Sequence, residues 1–201
     1  MSARPFTEQE YLALSHHFAS QNRTRDRALL VLGCGTGYRI QELLGLTVSQ
    51  VWDGTDVPHE ITIARRDLKG GKGAYKRSVR GRRVPLSEPV RSAIRDHLAA
   101  IGTGEPGRFF FATGRSQGGH GMNRSQAFRV LVRACIACGF DPTRVSTHSL
   151  RKTFVGRVYA ASGHDLIKTQ RLVGHSSPVT TARYLETDSA DLDRLVLTLA
   201  A

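Results

Sequence analysis

The sequence predicts an α+β fold, mostly helical with a small antiparallel β-sheet, in a single domain over residues 1–201. Three observations predict it. Capping signals and helix-forming runs recur along the chain, and after Ser87 the apolar Val90, Ile94 and Leu98 repeat every four positions, as a one-sided helix requires. Two short runs, 61–66 and 82–86, read instead as strands. The 201 residues carry no internal repeat and no low-complexity stretch, and they suffice to bury a core without disulfide or metal staples.

Each element has a local cause. Thr7 can cap a first helix running to about residue 19, with Glu10 closing a capping box and Phe6 stapling onto Tyr11. A second helix starts at Thr24 and runs to about Cys34. Gly33, Gly35 and Gly37 then predict a tight turn. A short helix is expected over 40–44. Between the two strands, residues 67–80 are rich in Gly, Lys and Arg and read as a hairpin. Ser87 can cap a helix on which Val90, Ile94 and Leu98 repeat every four residues. A strand is expected over 108–112. Further helices are expected over 123–138, 148–161, 165–173, 178–185 and 190–199. Ser177-Pro178 makes a good cap and first-turn pair for the fourth of these.

Composition narrows the function. Apolar residues make up 40% and charged residues 23%, an ordinary balance for a globular chain. The sign of the charge is not ordinary: 29 Lys+Arg against 17 Asp+Glu give +12. Such a surface attracts polyanions, nucleic acid first among them. An anionic membrane is the rival, but no lipidation motif and no basic amphipathic helix with large apolar anchors is present. No apolar run approaches 18 residues, and the polar N-terminus predicts no signal peptide. Three cysteines, Cys34, Cys135 and Cys138, are an odd count that predicts reduced thiols and a cytoplasmic location. The basic excess concentrates between residues 65 and 83, where nine Lys/Arg face one acid, Asp67. Arg65, Arg66, Arg77, Arg80 and Arg82 are the candidate DNA-binding residues of that stretch.

Two motifs offer other chemistry. The run from Ala28 to Gly37 looks like the strand and glycine loop of a methyltransferase that binds S-adenosylmethionine. That loop needs a strand before it, whereas Thr24-Arg25-Asp26-Arg27 starts a helix, and Val31 stands where an acid is usual. Cys135 and Cys138 form a CxxC, but zinc needs four ligands and there is no second cysteine pair. Both cysteines read as core residues of a helix.

The C-terminal third is the informative part. His148 and Arg151 lie three apart and project from one face of a helix, with Thr147 as its expected cap. Backbone amides and the helix dipole favour an anion there. His175 follows a turn closed by Gly174, and Tyr184 comes nine residues later on the next helix. Two histidines, an arginine and a tyrosine, without paired carboxylates for magnesium, point to phosphoryl transfer by side-chain cations alone. No metal and no cofactor is expected.

At these residues the chain resembles the catalytic domain of the tyrosine recombinases, the integrase family that includes Xer enzymes and phage integrases. Four ordered motifs carry the resemblance: Gly37-Tyr38-Arg39-Ile40-Gln41-Glu42-Leu43, His148-Ser149-Leu150-Arg151, Leu172-Val173-Gly174-His175 and Thr181-Ala182-Arg183-Tyr184. It covers roughly residues 6–188. It implies that Arg39, Arg151 and His175 contact the scissile phosphate and that Tyr184 is the nucleophile. His148 would assist proton transfer, and Glu42 would hold the site from behind Arg39. The family also places a lysine on the hairpin; Lys69 is favoured for its nearness to the first strand, with Lys72 and Lys76 as alternatives.

The chemistry fits these residue types. Two guanidiniums can grip a phosphodiester bidentately, and an unperturbed tyrosine, titrating near ~10, needs a base or strong positive potential to attack at neutral pH. The implied activity is cleavage and rejoining of double-stranded DNA through a phosphotyrosyl link, without metal or ATP. The implied partners are DNA and further copies of the chain, a tetramer in the synapse. A core-binding half of the DNA clamp would come from a partner or from that tetramer. Residues 189–201 form a tail whose Leu192, Leu195, Val196 and Leu199 make one helical stripe, expected to dock on a neighbouring protomer, the alternative being that it folds back on its own core. The expected location is a bacterial-type cytoplasm, at the nucleoid. The alternatives are a type IB topoisomerase, which uses the same chemistry, and a non-catalytic DNA-binding regulator.

Overall fold

The computed structural model describes residues 3–64, 81–113, 120–175 and 177–185. Lys69, Lys72, Lys76, Arg65, Arg66, Arg77, Arg80 and the 189–201 tail fall outside these residues. The described elements are, in chain order, α1 (Glu8–Ser20), α2 (Thr24–Thr36), α3 (Ile40–Leu44), α4 (Val48–Val51), β1 (Glu60–Ile63), β2 (Arg82–Pro85), α5 (Glu88–Ile101), α6 (Arg124–Ala137), α7 (Thr147–Ala161), α8 (Leu166–Val173) and α9 (Pro178–Ala182). The predicted fold class holds: helices dominate and the sheet is one antiparallel pair. The chain divides into two compact units, Met1–Phe154 and Val155–Ala201.

The first unit is built around α2. Ala28, Leu29, Leu30, Val31, Leu32, Gly33 and Cys34 are all buried, so this helix is apolar all round and packs against α1 and α5. α1 starts with the predicted capping box: Thr7 Oγ1 accepts from the Glu10 amide at 3.1 Å, and the Glu10 carboxylate accepts from the Thr7 amide at 2.8 Å. The Phe6 amide donates to Thr153 Oγ1 on α7 at 2.8 Å, tying the entry of α1 to the helix that carries His148 and Arg151.

Some local expectations of the first unit are corrected. Gly33 and Gly35 are not in a turn but inside α2, and the turn is confined to Gly37 at φ 58°. Close packing accounts for glycine at both helical positions: a Cβ on Gly33 would lie 2.8 Å from Leu150 Cδ1, and one on Gly35 2.4 Å from Val90 Cγ2. Residues 108–112 form no strand. Thr47 bridges Phe109 and Ala112 bridges Gly121, so this segment changes partners halfway and forms no continuous ladder, and Phe110 and Phe111 are both fully buried. Ser87 stands at the N-cap of α5 as expected, though without a side-chain bond, since Pro89 has no amide to donate and the Val90 amide bonds the Ser87 carbonyl at 3.0 Å. The cap of α7 is Ser146 rather than Thr147: Ser146 Oγ accepts from the His148 amide at 3.1 Å, and Ser149 Oγ accepts from the Ser146 amide at 3.0 Å. Thr147 lies inside the first turn with only 3% of its surface exposed.

In the sheet, Ile61 faces Val84 and Ile63 faces Arg82. A two-stranded ribbon is marginal alone; here Ile61, Ile63 and Val84 pack into the core. Tyr38, 1% exposed, anchors the ribbon by donating its hydroxyl to the Ile61 carbonyl at 2.8 Å.

The second unit contains the C-terminal part of α7, then α8 and α9. Asp165 caps α8 by accepting from the Ile167 and Lys168 amides, both at 2.9 Å. Gly174 ends it in the left-handed region at φ 70°. Ser177 Oγ accepts from the Val179 amide at 3.2 Å to start α9, with Pro178 in the first turn as predicted. The helix expected over 178–185 stops at Ala182, so Tyr184 stands in a turn, its amide bonded to the Thr181 carbonyl at 2.9 Å.

Candidate active site

The first unit gathers Arg39, Glu42, Arg82, His148 and Arg151. Arg39 is the N-cap of α3, and Glu42 reaches back to it twice, accepting from its amide at 2.7 Å and from Nη1 at 2.9 Å. The Glu42 side chain is 2% exposed while that of Arg39 is 43% exposed. A buried carboxylate therefore holds a guanidinium whose far side is open to solvent.

Arg151 is 2% exposed and donates Nη1 to the Gly37 carbonyl. Arg82 reaches the same carbonyl with Nη1 at 3.1 Å and the Thr36 carbonyl with Nη2 at 2.7 Å. Its guanidinium also lies over the Tyr38 ring, 5.1 Å from the centroid. Burial, then the nearby Arg151 charge, lowers the Arg82 pKa to about 10. The DNA-facing arginine of the sequence reading is thus turned inward in the structure. Strand parity is the signal that shows this: Arg82 is two residues before Val84 and shares its core-facing side.

Gly37 is the hub of this arrangement. Its φ of 58° suits glycine, and a Cβ there would lie 2.2 Å from Phe154 Cδ1. His148 is exposed at the start of α7. Partial burial, then the charges of Arg124, Arg151 and Lys152, push its pKa down, so the ring is biased toward the neutral form that can accept a proton. Sequence reasoning missed Arg124 and Lys152 in this neighbourhood. Lys152 follows Arg151 directly, whereas nothing local ties Arg124, at the start of α6, to His148.

The second unit holds His175 and Tyr184. His175 is 6% exposed, its amide donates to the Gln170 carbonyl at 3.1 Å, and its carbonyl accepts from Gln170 Nε2 at 2.7 Å. Its Nδ1 pairs with Thr181 Oγ1 at 2.9 Å, fixing the ring. The Tyr184 ring lies against it, centroids 5.0 Å apart and planes tilted by 38°. The role of Thr181 was missed, although it begins the motif that ends in Tyr184.

The other motifs are structural. The glycine run belongs to a helix end, not to the strand a nucleotide loop requires. Cys34 and Cys135 are buried, and burial pushes the Cys135 thiol up to about 11. Among the described residues no three His, Cys, Asp or Glu side chains are gathered as metal ligands, and no helix is long and apolar enough to cross a membrane.

A model of the phage integrase family matches residues 4–190. The chain is 33% identical over 164 residues to tyrosine recombinase XerD of Corynebacterium glutamicum, covering 80% of this chain and 47% of that protein. It is 26% identical over 185 residues to the probable integrase/recombinase YoeC of Bacillus subtilis, covering 92% and 90%. It spans about half the length of the Xer recombinases it matches. Among solved structures, the fold is similar to that of XerA recombinase, with a TM-score of 0.73 at 22% identity, covering 100% of this chain and 65% of that one. It is similar also to the Tn1549 transposon integrase in complex with transposon right end DNA, with a TM-score of 0.70 at 21% identity, covering 100% and 67%.

Proposed function

The chain belongs to the phage integrase family, and from that premise we propose that it is the catalytic domain of a site-specific recombinase that cuts and rejoins double-stranded DNA through Tyr184. The observation that carries the reading is the fixed His175 ring lying against Tyr184, centroids 5.0 Å apart. A phenol that must attack phosphorus needs polar, positively biased surroundings. In the first unit the Arg39–Glu42 pair and the Arg151–Gly37 contact present guanidiniums held by buried partners, suited to a phosphate's non-bridging oxygens.

In the proposed reaction the Tyr184 Oη attacks the scissile phosphorus and gives its proton to neutral His148. The P–O5′ bond breaks, and the leaving 5′-oxygen takes a proton from a hairpin lysine, Lys69 by preference. Arg39, Arg151 and His175 stabilise the charge on the non-bridging oxygens. The 3′-phosphotyrosyl bond conserves the energy of the broken phosphodiester, so a 5′-hydroxyl reverses the sequence without ATP. Arg65, Arg66, Arg77 and Arg80 would hold flanking phosphates. Recombination requires two DNA sites, which a tetramer would bring together. The 189–201 tail would dock its Leu192, Leu195, Val196 and Leu199 on a neighbour, since burying each is worth roughly 1.5–3 kcal/mol. A cytoplasmic, nucleoid location follows from this activity.

The test uses nicked suicide duplexes tiled across the DNA flanking the coding sequence. Wild-type protein should form a detergent-resistant protein–DNA adduct, with EDTA present, and Tyr184→Phe should form none. An adduct that survives in Tyr184→Phe, or cleavage that chelation abolishes and magnesium restores, would overturn the assignment.

A further inference from the structure

Arg82 lies outside the phosphate-gripping set, yet it is bound into the turn that carries Arg39. Three observations fix what it does. The parity of β2 directs its side chain inward, on the face of Val84. Its two terminal nitrogens donate to consecutive carbonyls, Thr36 at 2.7 Å and Gly37 at 3.1 Å. Its guanidinium lies over the Tyr38 ring, which is itself bonded to β1 through the Ile61 carbonyl. Arg82 thus spans Thr36, Gly37 and Tyr38, the residues immediately before Arg39. The Gly37 carbonyl that it holds is also the acceptor for Arg151.

A helix leaves its last four carbonyls without intrahelical partners, and the left-handed Gly37 cap directs its own amide back to the Gly33 carbonyl. Here a planar fork of donors reaches two of them from one side chain. Lysine would hold them less firmly, since its ammonium is a compact charge on a flexible stem without the planar fork. Fixing the carbonyls fixes the direction in which the chain leaves the turn, hence where Arg39 starts. It also fixes the oxygen against which Arg151 is set.

Resting on the recombinase reading, we propose that Arg82 is a positioning residue of the active site, clamping the Thr36–Gly37 turn so that Arg39 and Arg151 are held in register for one phosphate, and that it is not a DNA-contacting residue. Catalysis is sensitive to such placement, because a misplacement of about 1 Å can cost on the order of a hundredfold in rate.

The experiment compares wild type, Arg82→Lys and Arg82→Met as full chains, with three readouts. In hydrogen exchange, Arg82→Met should lose protection at the 37–39 amides, all hydrogen-bonded in the wild type, while α1 and α6 keep theirs. In duplex binding, affinity and its salt dependence should match wild type. In single-turnover cleavage at saturating protein, the rate should fall at least tenfold in Arg82→Met and partly recover in Arg82→Lys. Unchanged exchange at 37–39 would overturn the clamp, whether or not the protein cleaves DNA. A salt slope reduced by about 0.9, the loss of one phosphate contact, with the saturating rate preserved, would make Arg82 a DNA contact instead. A general loss of protection, matched by the loss of rate, would reduce it to a folding residue. If the wild type forms no adduct while its 37–39 amides behave as expected, the recombinase reading fails and the clamp stands.

Discussion

Gly37→Ala is the sharpest perturbation the structure offers, because two separate costs fall on one methyl group. The first is backbone: φ is 58°, and an L-residue with a Cβ costs about 1–2 kcal/mol in that region. The second is steric. The new Cβ would lie 2.2 Å from Phe154 Cδ1 and 2.7 Å from Cγ, inside any real contact distance, and the obstacle is a rigid ring. Forcing such a group into a packed site costs about 1–3 kcal/mol. Together roughly 2–5 kcal/mol would be lost, a large part of the roughly 5–15 kcal/mol that stabilises a typical protein. At about 2–4 °C per kcal/mol for a chain of this size, the midpoint of thermal unfolding should fall by roughly 4–20 °C. Urea unfolding of Gly37→Ala, Phe154→Leu and the double variant separates the two costs. The double variant should recover about 1–3 kcal/mol relative to the sum of the singles, while the backbone cost remains. The reasoning is refuted if Gly37→Ala unfolds like the wild type, or if the two substitutions are additive.

Two further predictions follow from other groups. His97 is 3% exposed, pairs Nδ1 with Thr24 Oγ1 at 3.2 Å and Nε2 with the Phe110 carbonyl at 2.9 Å, and burial above all lowers its pKa to about 4. Its folded value is below the unfolded one, near ~6.5, so the unfolded chain binds the proton first. Stability should be full above pH ~6.5 and decline as the pH falls toward 4, by up to roughly 3 kcal/mol; urea titrations should show this decline flattened in His97→Gln, and an equal decline in the variant would exclude His97 as its source. On the hairpin, Lys69→Ala should slow single-turnover cleavage with little loss of duplex affinity, whereas a slow Lys72→Ala or Lys76→Ala variant would move the general acid to that residue.

Local chemistry in the sequence determined where most helices begin and end. The Thr7–Glu10 box, the Asp165 cap, the Ser177-Pro178 start and the Gly174 stop act within three or four residues, so their effect needs no knowledge of the fold. The residues proposed for the site were legible in the same way, as short motifs in a fixed order. What tertiary structure alone decided lies where distant segments meet. Gly33 and Gly35 read as a turn because local propensity counts their flexibility against a helix; they stand inside one, where Leu150 and Val90 approach too closely for a larger side chain. Phe110 and Phe111 read as strand, yet each pairs its backbone with a different distant segment. Arg82 read as one more cation of a basic hairpin, although strand parity already pointed it inward. Only the packing of the sheet against the end of α2 supplied the Thr36 and Gly37 carbonyls that its donors meet. A charged side chain is assigned to solvent by default because burial is costly, and only the fold can bring the partners that reverse that preference.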